Sequence, residues 1–162
     1  MINYANRGKE LETLVDMTNK QYQNSGVALI KKIPTPIKIK SVSTRGLVTG
    51  WISRGEFVDY IGLYKGKFIC FDAKQTKNKT SFPLANIEDI QLQYMKEVSG
   101  YGGAAFLLVM FEGHEIYKID YKQIQTFIET NTRKSIPRSF FEKECQLIKS
   151  DGYYTVPYLK YI

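Results

Sequence analysis

Three charged side chains stand among residues suited to a β-sheet: Asp59, Asp72 and Lys74, within "FVDYIGLYKGKFICFDAKQTKNKTSFP" at 57 to 83. Alternate strand residues share a face, so Cys70, Asp72 and Lys74 point one way while Phe71 and Ala73 point the other. Asp59 belongs to the strand before. Two carboxylates at neighbouring strand positions repel unless something positive separates them, and a divalent metal does that best. Lys74, on the same face, would hold a water or a charge developing on phosphorus. These are parts for metal-assisted phosphodiester hydrolysis, with Asp59 and Asp72 as Mg2+ ligands.

The spacing alone is unspecific, because Asp120-Tyr121-Lys122 repeats the acid-x-Lys pattern. The three charges would serve equally as an ion pair on an exposed sheet face, worth little to stability. Context separates the two runs. "FICFDAK" ends an apolar strand, where a site is positioned and partly dry, whereas Asp120 follows "YKI" and suits a helix start. Directly after Lys74 come Thr76, Lys77, Asn78, Lys79 and Thr80, a dense set of phosphate-contact side chains. Metal, lysine and phosphate clamp would then be contiguous.

The elements that must position these residues follow from periodicity. Leu11, Leu14, Val15 and Thr18 recur at helical spacing from Arg7 to about Gln23, with Asn6 as N-cap. "VALIKKI" (27 to 33) reads as a strand stopped by Pro34 and Pro36. Residues 37 to 56 alternate small, basic and apolar residues, which fits an extended, twisted ribbon or arm. Its Lys38, Lys40, Arg45 and Arg54 meet no acid before Glu56, so it would be electropositive or an ordinary solvated hairpin. The hairpin 57 to 64 and 67 to 74 turns at "KGK", with Gly66 supplying a positive φ. A helix is expected over 86 to 98, capped by Asn86, then a strand buried on both faces at 102 to 111. An edge partner at 114 to 119, a helix at 121 to 131, a short helix near 138 to 148 and a final strand at "VPYLKYI" complete the chain. The result is an α/β fold, a mixed β-sheet flanked by helices, in one domain with an arm inserted.

Composition agrees with a folded, polyanion-binding protein. The 162 residues are 43% hydrophobic and 14% aromatic, and suffice for one core. A net charge of +7 favours an anionic partner such as nucleic acid. Cys70 and Cys145 match no zinc or redox spacing, and His114 stands alone. With no apolar signal segment and no run approaching about 18 apolar residues, a cytoplasmic protein is expected.

Acid, hairpin, acid-x-Lys resembles the PD-(D/E)xK nuclease superfamily, and more specific matches resemble the RecU-type Holliday junction resolvases. They are "NRG" with "LE" (6 to 12), "TNKQY" (18 to 22), "PTP" (34 to 36), "DYIGLYKGKFICFDAKQTKNKTSFPL" (59 to 84) and "QLQYMKEV" (91 to 98). The resemblance implies a restriction-endonuclease-like fold whose stalk is segment 37 to 56, projecting between the first two core strands. It implies a homodimer that binds four-way DNA junctions and, with Mg2+ or Mn2+, nicks two strands of like polarity, with recombinase proteins as further partners. Asp59 and Asp72 match the metal carboxylates, Lys74 the motif lysine, Glu12 a helix acid completing the catalytic site, and Gln91 a polar residue near the metal. Arg7, Thr76, Lys77, Lys79, Arg45 and Arg54 are the expected DNA contacts. Asp72 stands where these resolvases more often have Glu, Val58 where a hydroxyl residue is expected, and the stalk is shorter.

Two other functions fit the same residues. One is a related nuclease for another DNA structure. The other is a non-catalytic or weakly catalytic junction-binding or strand-annealing protein whose acids are vestigial. Trp51 suits either a junction wedge or a dimer interface.

Overall fold

The computed structural model describes residues 9–52, 57–112 and 114–162. Asn6, Arg7, Arg54 and the end of the arm at 53–56 lie outside them.

Helix α1, Lys9–Asn24, buries Leu11, Val15, Thr18, Asn19 and Tyr22, a stripe at helical period. It packs on a six-stranded sheet whose strands are β1 (Leu29–Lys32), β4 (Tyr60–Tyr64), β5 (Lys67–Gln75), β7 (Ala104–Met110), β8 (Ile116–Asp120) and β10 (Gln146–Ile148), in that spatial order. Only β5 and β7 run parallel; the other neighbours are antiparallel, so the sheet is mixed. Helices α2 (Asp89–Gly100), α3 (Tyr121–Thr130) and α4 (Arg138–Glu144) lie on the side opposite α1.

The β5 alternation divides the core. Cys70 joins Met95, Val98, Leu107, Val109, Ile124 and Phe141 under the three helices. Ile69, Phe71 and Ala73 join Leu11, Val15, Phe106, Leu108 and Tyr158 under α1. Tyr60, Phe71 and Phe106 are direct cross-strand neighbours, and their rings stack at 4.8 Å in both steps. Such pairs add about 0.5–1.5 kcal/mol each beyond burial, and here they fix the register of the strands that carry Asp59 and Asp72.

The hairpin turn has Lys65 at φ 48° and Gly66 at φ 77°, the two positive angles of a twist-matched two-residue turn. Gly62 is needed for a different reason: a Cβ there would lie 2.2 Å from the Leu29 carbonyl oxygen, so the edge strand could not close.

Between β1 and β4 the chain leaves the sheet as a separate ribbon, β2 (Ile37–Val42) with β3 (Val48–Ile52), exposed at every residue. The described part of segment 37 to 56 is thus an exposed two-stranded ribbon through Ile52. A second small ribbon, absent from the sequence reading, joins β6 (Ser81–Pro83) to β9 (Ser135–Pro137).

Four local expectations are corrected. Asn86 does not cap α2, because it ends a 3-10 turn, Leu84–Asn86. Glu88 caps instead, in a reciprocal capping box with Gln91. Residues 138 to 148 form α4 and then the strand β10, which takes the sheet edge expected for 114 to 119. "VPYLKYI" is no strand: Tyr158–Tyr161 is a 3-10 turn. It is anchored on α1, where Thr18 Oγ1 accepts from the Val156 amide at 3.0 Å and Asn19 accepts from the Tyr158 hydroxyl.

Candidate active site

Asp72 lies in the second half of β5 with no solvent exposure. The chain enters β4 directly beside it, and the Asp59 amide donates to Asp72 Oδ1 at 2.5 Å. That bond orients the carboxylate and leaves Oδ2 buried without a hydrogen-bond donor. Lys74 Nζ stands 3.2 Å from Oδ2, close enough for an ion pair but off hydrogen-bonding geometry. Buried acceptors are nearly always satisfied, and among the described residues Oδ2 is met by the Lys74 ammonium alone.

Burial lifts the Asp72 carboxyl above its usual range, against the pull of Lys74 and the Asp59 amide, and the Glu88 carboxylate raises it further. Asp59 is half-buried, and desolvation followed by the Asp72 charge pushes it up to about 6, with Lys74 opposing and Glu12 adding. Two neighbouring acids held at raised pKa values by burial are a perturbed pair of the kind that clusters at functional sites.

Glu12 sits one turn into α1 on the half-buried flank of the helix, beside the Asp59 end of β4, where its charge acts on Asp59. Its Oε2 accepts from Lys32 Nζ at 2.6 Å. Asp16, one turn further, accepts from the Tyr60 hydroxyl at 2.9 Å. Helix acids at i and i+4 thus meet successive groups of the β1–β4 edge.

The structure therefore brings Asp59, Asp72, Lys74 and Glu12 together. Gln91 is buried, and its carboxamide oxygen accepts from the Glu88 amide at 3.2 Å. It starts the helix whose cap, Glu88, acts on Asp72. Thr76 departs from its expected exposed position: it is 7% exposed, its hydroxyl accepts from the Asn78 amide at 3.1 Å, and it shapes the loop from within. Asn78 Oδ1 takes the Thr80 amide at 3.0 Å, which leaves Lys77 and Lys79 on the outside. Lys79 makes only a 3.9 Å ion pair with Glu112. Arg45 is exposed at the tip of the β2–β3 ribbon, remote in sequence from the carboxylates. Val58 is in the core, 1% exposed, beside Cys70, so a hydroxyl there would be desolvated.

Sequence reasoning missed Lys32 and Glu88. Lys32 faces Tyr60 only through the β1–β4 register, and Glu88 was hidden by placing the cap two residues early. The second Asp-x-Lys run is not part of the site. Asp120 caps α3 with Gln123 in a capping box and pairs with the buried Lys118 at 2.5 Å, while Lys122 is exposed on the helix.

A family model, Recombination protein U, matches residues 6–162, nearly the whole chain. The chain belongs to the RecU family. Its RecU relatives include Holliday junction resolvases of Oceanobacillus iheyensis, 39% identical over 96% of this chain and 84% of that protein, and of Pediococcus pentosaceus, 37% identical over 97% and 83%. The resolvase of a Geobacillus species is 39% identical over 87% of this chain and 75% of that protein. Among solved structures, Hjc of Archaeoglobus fulgidus, a Holliday junction resolvase, is similar in fold. Its TM-score is 0.50 at 8% identity, with 81% of this chain and 91% of that chain covered. The RecU chain thus carries the mixed, restriction-endonuclease-like sheet expected of it.

Among the described residues, no three His, Cys, Asp or Glu side chains converge as a ready cage for a metal. A hard divalent cation of the Mg2+ type needs none, since it is commonly held by one or two carboxylates and keeps several waters. The orphaned Asp72 Oδ2 and the neighbouring Asp59 fit that requirement.

Proposed function

We propose that this RecU protein is a divalent-cation-dependent endodeoxyribonuclease that resolves four-way DNA junctions by paired nicks, in recombination and repair. Mg2+ or Mn2+ would be held by Asp59 and Asp72. The observation that carries the reading is Asp72 Oδ2, a buried acceptor without a donor beside a second acid and a lysine.

When bound, the cation supplies charge neutralisation at the scissile phosphate and acidifies a water. Asp59 and Asp72 offer it oxygen ligands, positioned by the Asp59 amide to Asp72 bond. Lys74, whose side chain is 18% exposed, orients the attacking water and faces the charge that grows on phosphorus. Glu12, held by Lys32, adds negative charge on the α1 side and strengthens cation binding. Lys77 and Lys79, displayed by the internally bonded loop, grip the neighbouring phosphates. Arg7, Arg45 and Arg54 extend that grip. Gln91 acts by starting α2 in the right place.

A two-fold dimer would set two such sites against a two-fold junction, so paired nicks follow from symmetry. The work belongs in the cytoplasm, with recombinase proteins; no described helix is long and apolar enough to cross a membrane.

The test is a labelled mobile junction incubated with and without Mg2+, beside the Asp59→Ala variant. Cation-dependent paired nicks that vanish in the variant, while junction binding persists, are expected. Tight junction binding with no cleavage of any DNA in Mg2+ or Mn2+ would instead select a non-catalytic binding protein. Cleavage of linear duplex as fast as of junctions would select a different DNA substrate.

A further inference from the structure

The β6–β9 ribbon links the catalytic loop to a surface that the site does not use. The Arg138 amide donates to the Thr80 carbonyl at 2.8 Å, and the Leu84 amide to the Lys134 carbonyl at 3.0 Å. The five residues Thr80 to Leu84, with β6 among them, therefore carry the chain from the Lys77–Lys79 loop to the segment Arg133–Lys134.

Beside this ribbon, α3, β9 and α4 enclose an open concavity of about 290 Å3 lined by Arg133, Ser139, Lys143, Glu144 and two phenylalanines, Phe127 and Phe140. The phenylalanines meet edge to face at 5.2 Å, and Phe127 is 3% exposed. Arg133, Lys134 and Lys143 are exposed. Among the described residues neither Arg133 nor Lys143 forms an ion pair. Arg138 contrasts with them: Glu115 and Glu142 hold its guanidinium, and it lies over the Phe111 ring. The fold therefore neutralises one cation of this surface and leaves its neighbours unpaired. Glu144 is the single acid of the lining.

We infer that Arg133 and Lys143 form a second phosphate-contact patch, which grips the backbone of a duplex arm beyond the nuclease centre. Two cations without ion pairs among the described residues and a hydroxyl suit phosphate oxygens. The inference rests on DNA as substrate, not on cleavage.

The test measures equilibrium binding of the wild type and of R133A/K143A to a four-way junction, a linear duplex and a single strand across a salt series. Each backbone contact contributes about 0.9 to the slope of log K against log salt. The double variant should therefore show a slope shallower by about 1.8 on junction and duplex alike. At about 0.15 M salt each lost contact weakens binding roughly five-fold by the same relation. R133K/K143R should bind as wild type, and nicking at saturating protein should be unchanged in both. An unchanged slope overturns the inference, and so does a loss confined to single strands or an equal loss in the charge-keeping variant. A slowed nicking step at saturation overturns it too, since the patch would then belong to the catalytic centre. Absence of cleavage by the wild type with these binding results intact would sink the nuclease proposal and leave the patch standing.

Discussion

Replacing Asp72 by Asn removes one charge while keeping the side chain's shape and the oxygen that accepts from the Asp59 amide. Two effects oppose each other. Attraction between the carboxylate and Lys74 Nζ, 3.2 Å apart, is about 5 kcal/mol at an effective dielectric of 20. Against it stands the desolvation of a fully buried carboxylate, several kcal/mol. The raised Asp72 pKa shows that desolvation wins, so the ionised form is a net load on the cation-free protein. The neutral variant should be the more stable, by about 1.4 kcal/mol for each unit by which the folded pKa is raised, or roughly 3–6 °C in melting temperature per unit for a chain of this size. A carboxyl whose folded pKa is raised contributes stability fully present below its unfolded pKa and lost as pH rises through the folded one. The difference should therefore vanish below about pH 4, where the carboxyl is protonated in both states, and grow as pH rises above it. Thermal unfolding in chelator measures it. Saturating Mg2+ should reverse the order, because only the wild type gains stability by binding. An Asp72→Asn protein that melts below wild type in chelator at neutral pH would refute the reasoning, and Asp72 would then be a structural partner of Lys74.

Two further outcomes are expected. Asp59, raised to about 6 by burial and the Asp72 charge, should make the cation-free wild type lose stability as pH rises from about 4 through 6. Asp59→Asn should lose less over that window in chelator melts, and cleavage by the wild type should fall as pH drops through the same range; parallel stability curves for the two proteins would count against the assignment. Asp120→Ala should lower stability by about 3–5 kcal/mol, because it removes the α3 cap and leaves the buried Lys118 ammonium without its partner, and should leave the nicking rate unchanged, as read by denaturant unfolding and single-turnover cleavage. A collapse of nicking in a folded Asp120→Ala protein would mean that the wrong Asp-x-Lys run has been assigned.

Much of this architecture is legible along the chain because local physics writes it there. The α1 stripe of Leu11, Val15 and Thr18, the positive φ at Gly66 and the apolar run that becomes β7 each follow from one segment's own period or turn chemistry. The end pieces were not legible in the same way. Val156, Tyr158 and Leu159 are apolar enough for a strand, yet Pro157 removes a donor and their partners are Thr18, Asn19 and Tyr22 of α1, far away in sequence. The cap of α2 slipped by two residues because the turn Leu84–Asn86 intervenes.

The candidate site divides along the same line. By itself the sequence determined which residues have the chemistry: two acids and a lysine at strand spacing, followed by a loop of hydroxyls, amides and lysines. It also separated Asp120 from Asp72, because a helix start and a strand end differ in local pattern. Only the tertiary structure decided that the Asp59 amide orients Asp72, that Oδ2 is left without a donor, and that Lys32 and Glu88 lie within electrostatic reach. Those facts depend on register between strands and on helices arriving from distant parts of the chain. Burial and charge–charge coupling are properties of assembled surfaces, and no single segment encodes them.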